Sequence, residues 1–246
     1  MLDKIWIFDT YSICIALGVI ACFISFEIFM KRKYNASSNT RTNYEILSLI
    51  SIIIGFAFAM LFQAIYDLIG KNKDLSGAMT FYGGLIGGVI TFIALYKIYY
   101  YKKVDIGISK VCIIAPACIS IAHCFGRIGC FMAGCCYGKE TDSFWGVKFP
   151  DLEKKVYPTQ LFEAFFLLLL FIALFYLAMK INFEYNFTIY LISYGIFRFL
   201  IEFLRGDERG FTLLGLSPSQ YISILFIIAG IIYFIAMKNK KPSALN

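Results

Sequence analysis

Charge is what this chain has least of. Only 16% of its 246 residues are Asp, Glu, Lys or Arg, against about 25% in an ordinary soluble domain. With 60% hydrophobic residues and a mean hydropathy of +0.74, it has too little polar surface to cover a soluble body. It also lacks any C-x-x-C pair, internal repeat, low-complexity tract or linker to a soluble domain. It has a single histidine, His123. The formal charge of +7 comes from short clusters beside apolar runs, such as Lys31-Arg32-Lys33 and Lys238 to Lys241. Such clusters suit anionic headgroups and topology signals. Blocks that would track a phosphate backbone are missing, so nucleic acid is not an expected partner.

What the chain does have is long apolar runs. Judged against the roughly 20 residues needed to cross a bilayer, seven segments qualify, near 11–30, 44–68, 81–100, 111–124, 161–179, 187–204 and 221–237. The expected fold is therefore all-α, a polytopic integral membrane protein in one domain over 1–246. The fourth segment is short and reads as a half-helix ending at Gly126. The first is too long for a signal-peptide core and is followed by lysines, so it is expected to be retained. Lysine and arginine collect in the loops after segments 1 and 3 and in the tail at 238–246. By the positive-inside rule this predicts an outside N-terminus and a cytoplasmic C-terminus. An outward polar loop is then expected over 125–157.

Ionisable groups inside spanning segments are costly and usually face the bundle interior. Arg198, Glu202 and Arg205 in "RFLIEFLR" are spaced i, i+4 and i, i+3, which puts all three on one helical face. They form either a self-satisfied ion-pair stripe or an anion site in which Glu202 holds an arginine, and the surplus arginine favours the second. "YPTQLFEAF" opens the fifth segment with Pro158 in a first-turn position. Gln160 and Glu163 there are one turn apart, as an interfacial cap, a headgroup contact or a second partner for Arg127.

The densest cluster is "FGRIGCFMAGCCYG", residues 125–138. Arg127 brings a planar fork suited to phosphate. Gly126, Gly129, Gly134 and Gly138 would let a backbone approach an anion closely and offer it N–H groups. Cys130, Cys135 and Cys136 admit a disulfide, a redox relay or, with His123, a zinc site. Their spacing does not match the paired C-x2-C units of structural zinc sites, so no metal is expected. His123 by itself reads as a buried, hydrogen-bonded histidine. Cysteines 14, 22, 112, 118 and 124 lie in apolar runs and read as small hydrophobes.

Four motifs in order, "FYGGLIGG", "GRIGCFMAGCCYG", "YPTQLFEA" and "FRFLIEFLRGDERG", with "LSPSQYISI" as a fifth, make the chain resemble the prolipoprotein diacylglyceryl transferases of bacterial inner membranes. The resemblance implies transfer of the diacylglyceryl group of phosphatidylglycerol to the lipobox cysteine thiol of a preprolipoprotein signal peptide, releasing glycerol phosphate. It implies a multi-pass inner-membrane location, a lipid partner, and neither metal nor nucleotide cofactor. Arg127, Gly138, Arg198 and Glu202 match the family's motifs. Arg127 and Gly138, together with the neighbouring Gly126, Gly129, Cys130, Arg205, Gln160 and Glu163 read from the residues themselves, are the candidate substrate-binding residues. Arg198, positioned by Glu202, would offset charge on the leaving phosphate.

Two departures stand out. Cys130, Ala133 and Cys135 replace residues of a loop that usually reads G-R-x-G-N-F with a second Asn and often a Glu, although a cysteine-rich form also occurs among relatives. Tyr82 stands where the family's H-G-G-L motif has a histidine, a favoured activator of the acceptor thiol. Tyrosine, with a pKa near 10, is a weak base for that task, which leaves open a divergent relative: a lipid-binding or transport protein, or a transferase with another acceptor.

Overall fold

A computed structural model describes residues 4–5, 8–69, 81–181, 183–206 and 215–239, with side chains from Thr10 onward except at 66–69, 81 and 82. Among them are seven helices: α1 Thr10–Tyr34, α2 Ser38–Ile69, α3 Phe81–Leu95, α4 Ile108–Met132, α5 Thr159–Ile181, α6 Asn186–Ile201 and α7 Pro218–Asn239. A π-helical turn, Tyr96–Tyr100, extends α3, and a 3-10 turn, Glu202–Leu204, extends α6. A two-residue ladder pairs Lys4–Ile5 with Phe8–Asp9. All seven helices, counted with these extensions, are long and apolar enough to cross a bilayer. Large apolar side chains such as Ile53, Phe165 and Ile232 are exposed, as befits a protein whose solvent is lipid.

Two compact units divide the chain, 1–29 with 109–246, and 30–108. In the smaller unit, α2 and α3 meet backbone to backbone. A Cβ on Gly55 would fall 2.9 Å from the Gly84 carbonyl, and one on Gly88 would fall 3.3 Å from the Ser51 carbonyl. Lipid gives no hydrophobic drive for helices to associate, so close packing through small residues supplies the attraction instead. This explains the glycines of "FYGGLIGG" as a packing face. At one end of the unit, the Ser37 N–H donates to Asp105 Oδ2 (3.2 Å), the Asp105 N–H to Thr40 Oγ1 (2.9 Å), and Tyr44 Oη to the Ile106 carbonyl (2.8 Å). The segments after α1 and α3 therefore meet at one end of this unit.

In the larger unit, α5 buries a stripe of Gln160, Glu163, Ala164, Leu167, Leu174 and Ala178. The fully buried Asn186 donates to the carbonyls of Ile113 on α4 and Leu174 on α5, both at 3.0 Å. These bonds tie three helices where an unmet amide would be costly. Helices α6 and α7 meet at Gly195, whose Cβ would fall 2.9 Å from the Ser223 carbonyl, and at Gly230.

The fourth span corrects the sequence reading. It is a full helix of 25 residues that runs through Gly126, Arg127, Gly129 and Cys130 to Met132. The glycines that looked like breakers are tolerated because a neighbour needs the room: a Cβ on Gly129 would meet Tyr11 and Cys14 of α1 at 3.0 and 3.2 Å. The polar segment accordingly begins at 133, and Gly126 and Gly129 are helical positions. That segment packs around the buried Phe149, whose ring contacts Phe131 and Tyr137, and carries an exposed pair, Phe144 and Trp145.

Candidate functional site

Two carboxylates, one buried and one partly buried, organise the polar interior of the larger unit. The first is Glu163 on α5, completely buried. Its Oε2 lies 3.0 Å from Arg127 Nε on α4. Its Oε1 accepts from Tyr194 Oη on α6 at 2.9 Å, and His123 Nε2, one turn before Arg127, is 3.7 Å away. The His123 ring meets Tyr194 edge to face at 5.3 Å, and Tyr194 stacks on Tyr190. Three helices thus converge on one carboxylate, which needs such partners to stay ionised in an apolar setting.

The second is Glu202, at the end of α6. Arg198 Nη1 donates to its Oε2 at 2.6 Å, and Ser217 Oγ donates to its Oε1 at 2.7 Å. Arg198 Nη2 donates to Ser219 Oγ at 3.0 Å, so the guanidinium is held from two sides. The Ser217 N–H in turn donates to Gln220 Oε1 at 3.0 Å. Tyr194 and Arg198 are one turn apart, so a single face of α6 serves both carboxylates.

Arg205 does not share that face, contrary to the periodicity. The helix tightens into the 3-10 turn and Arg205 is extended, at φ −75° and ψ 143°. It is buried and pairs with Gly138 in an antiparallel bridge, with the Lys139 N–H donating to the Leu204 carbonyl at 2.8 Å. Gly138 is obligatory there, since a Cβ would sit 2.6 Å from the Leu204 carbonyl.

This bridge anchors the cysteine segment. Gln160 Nε2 donates to the Cys135 carbonyl at 2.6 Å and Thr159 Oγ1 to the Cys136 carbonyl at 3.0 Å. Gln160 thus holds the segment from the first turn of α5, one turn before Glu163. Gly134 and Cys136 both have left-handed backbones, φ 69° and 64°. The turn they make brings the sulfurs of Cys130, Cys135 and Cys136 within 4.8 Å of one another, all as free thiols. The Cys136 thiol is pushed down by the neighbouring Cys130 and Cys135 thiols and by Arg205, and that of Cys135 is pushed up by sharing hydrogen bonds with the other two.

Arg127, Glu163, Gln160, Cys130, Gly138, Arg198, Glu202 and Arg205 all belong to this unit, and of the three roles left open for Glu163 the structure shows the one that partners Arg127. Tyr82 lies in α3, and its side chain is outside the described residues, as is most of "RGDERG" beyond Gly206. The residues the sequence reading passed over are Tyr194, whose signal was its place one turn before Arg198, and Ser217 and Ser219 of the "LSPSQ" stretch. His123, expected as a buried, hydrogen-bonded histidine, is only partly buried and stands beside the central carboxylate at 3.7 Å.

The three guanidinium groups of Arg127, Arg198 and Arg205 outnumber the two carboxylates by one positive charge, matching the single negative charge of a phosphodiester. The sequence model of the prolipoprotein diacylglyceryl transferase family matches residues 4–236. A phosphatidylglycerol–prolipoprotein diacylglyceryl transferase of Clostridium tetani is 36% identical over 91% of this chain and 91% of its own length. A second from Clostridium perfringens is 34% identical over 92% and 89%, and one from Rickettsia africae is 32% identical over 94% and 92%.

Proposed function

The chain belongs to the prolipoprotein diacylglyceryl transferase family, and from that premise we propose how its buried ion pairs serve the reaction. It is a membrane-embedded transferase of lipoprotein maturation, with phosphatidylglycerol as donor and a prolipoprotein as acceptor. In this reading the acceptor group is the thiol of the lipobox cysteine in the signal peptide, and glycerol phosphate leaves. The protein sits in the bacterial inner membrane with its N-terminus outside. The acyl chains lie between helices, in contact with the bilayer.

The observation that carries the assignment is the pairing of Arg127 with the completely buried Glu163 at 3.0 Å. Glu163 fixes the guanidinium at Nε, and the rest of the planar fork takes the lipid phosphate. Arg198, clamped by Glu202 and Ser219, stabilises the charge that grows on the departing phosphate. A charge already oriented by its own partners needs no reorganisation as the bond breaks, and it acts strongly where water is excluded. Arg205, held beside Gly138, adds the surplus positive charge. Tyr82 stands at the position of the family's histidine, the candidate for taking a proton from the acceptor.

Reconstituted protein, phosphatidylglycerol and a lipobox peptide test this reading. A diacylglyceryl thioether on the peptide, detected by mass spectrometry, is the expected product. Lipid binding without any thioether would leave the lipid site standing and overturn the thiol acceptor.

A further inference from the structure

The three-cysteine cluster is not used by the reaction as described above, and its geometry is specific. The thiols come from the last turn of α4 (Cys130) and the segment after it (Cys135 and Cys136), and their sulfurs lie within 4.8 Å of one another. Four-coordinate zinc with bonds of about 2.3 Å places its sulfurs about 3.8 Å apart, so small side-chain rotations would close the cluster on a metal. The backbone is already set for this. Gln160 and Thr159 fix the carbonyls of Cys135 and Cys136, and the Cys135 N–H donates to the Cys130 carbonyl at 3.1 Å. Cys136 holds a left-handed φ of 64°, a conformation that is strained for a non-glycine residue.

A disulfide would use two of the thiols and leave the third without a purpose. Three soft donors around one point suit a thiophilic cation such as zinc. Three thiolates on a divalent cation carry one net negative charge, and the Arg205 guanidinium lies against Cys136. With three protein ligands the fourth position stays open, as in catalytic zinc sites. Cys135 is exposed, so an incoming group has access.

We propose that Cys130, Cys135 and Cys136 form a three-thiolate site for a zinc-class divalent cation whose open position takes the acceptor cysteine thiol. The inference rests on the reading above that the acceptor is a thiol. Placement supports it. Cys130 is one turn after Arg127 on α4, and Gln160, which holds Cys135, is one turn before Glu163 on α5. The thiol would then be delivered about one helical turn, roughly 5 Å along the axis, from the pair assigned to the lipid phosphate.

A thiol loses its proton on coordination, so the site does the work of a base. The acceptor S–H releases its proton to water on binding. The metal-bound thiolate then donates an electron pair to the diacylglyceryl carbon, forming the C–S bond. The bond from that carbon to the phosphate oxygen breaks, and glycerol phosphate leaves with its electron pair. The metal changes neither oxidation state nor ownership of an electron. This relieves Tyr82 of a task for which tyrosine is poorly suited.

The test uses the full chain, purified anaerobically in detergent. Elemental analysis should find about one zinc ion per chain, and retained metal should fall below about a tenth of that in Cys130→Ser, Cys135→Ser or Cys136→Ser. Substitution of cobalt(II) should give a thiolate charge-transfer band. That band should change on adding a lipobox cysteine peptide without phosphatidylglycerol, and stay unchanged with the serine peptide. The cobalt readout needs no variant and no turnover, so it is independent of how the serine variants fold and of whether thioether is formed. A disulfide among the three residues, a metal-free protein that cannot be reconstituted, or a cobalt band blind to the peptide thiol would each overturn the proposal. Thioether formation at the wild-type rate by a metal-free Cys135→Ser, Cys136→Ser protein would overturn it while leaving the transferase reading intact.

Discussion

Arg127 on α4 and Glu163 on α5 form an ion pair at 3.0 Å in which the carboxylate is completely buried. Removing either charge leaves the other uncompensated in an apolar interior, the costly half of a buried pair. Tyr194 completes the carboxylate's shell from α6, so one acidic side chain holds three helices and one guanidinium in register.

Glu163→Gln should therefore cost stability as well as activity. Loss of the pair is expected to lower stability by about 3 kcal/mol and thioether formation by on the order of 100-fold. Thermal unfolding in detergent and the peptide assay check the two effects. Arg127→Lys should bind phosphatidylglycerol more weakly than wild type, because a point charge cannot reproduce the fork. An unchanged affinity would remove Arg127 from the lipid site.

Glu202→Gln should separate positioning from folding. Ser219 still holds Arg198 on its other side, so the helix end should survive. The turnover rate should drop by roughly 10 to 100-fold, with lipid affinity little altered. Steady-state kinetics against phosphatidylglycerol concentration would show a fall in kcat rather than a rise in KM.

Gly55→Val tests the glycine face of the smaller unit. Its Cβ would press on the Gly84 carbonyl at 2.9 Å, and backbone cannot step aside as a side chain can. Overpacking of this kind costs about 1–3 kcal/mol, visible as a lower melting temperature. A melting temperature equal to wild type would show that α2 and α3 do not pack through these residues.

Asp105 supplies a pH-dependent contact. Its carboxyl is held below its usual value of 3.8, first by the Thr40 side chain and then by Ser37. A depressed carboxylate stabilises the fold above its unfolded pKa, and that contribution is lost as the pH falls through the lower, folded value. The Ser37 amide, which donates to Asp105, should thus lose protection from hydrogen exchange only below about pH 4. In Asp105→Asn its protection should no longer follow pH in that window.

Much of this protein was legible in its amino-acid order. Seven apolar runs set the number of helices, because bilayer thickness demands about 20 apolar residues whatever the packing. Regular spacing within one helix was equally readable, as with Arg198 and Glu202, because it is set by 3.6 residues per turn. The motifs also marked Arg127, Gln160, Glu163 and Gly138 before any neighbour was known. What failed was reading glycine as an end signal: α4 continues through Gly126 and Gly129, since a small residue inside a membrane helix serves a neighbouring helix at least as often as a turn.

Only the tertiary structure decided which side chains meet. Glu163 could have capped its own helix, yet it faces Arg127 from another. Arg205 follows the helical spacing in sequence but leaves the helix, because pairing with Gly138 meets backbone groups that the helix end would leave open. Cys130, Cys135 and Cys136 show no paired metal-binding spacing, and two left-handed residues fold them together all the same. Spacing along the chain controls contacts within one element. Contacts between elements are chosen by packing and by the need to satisfy every buried polar group, and no local pattern contains that choice.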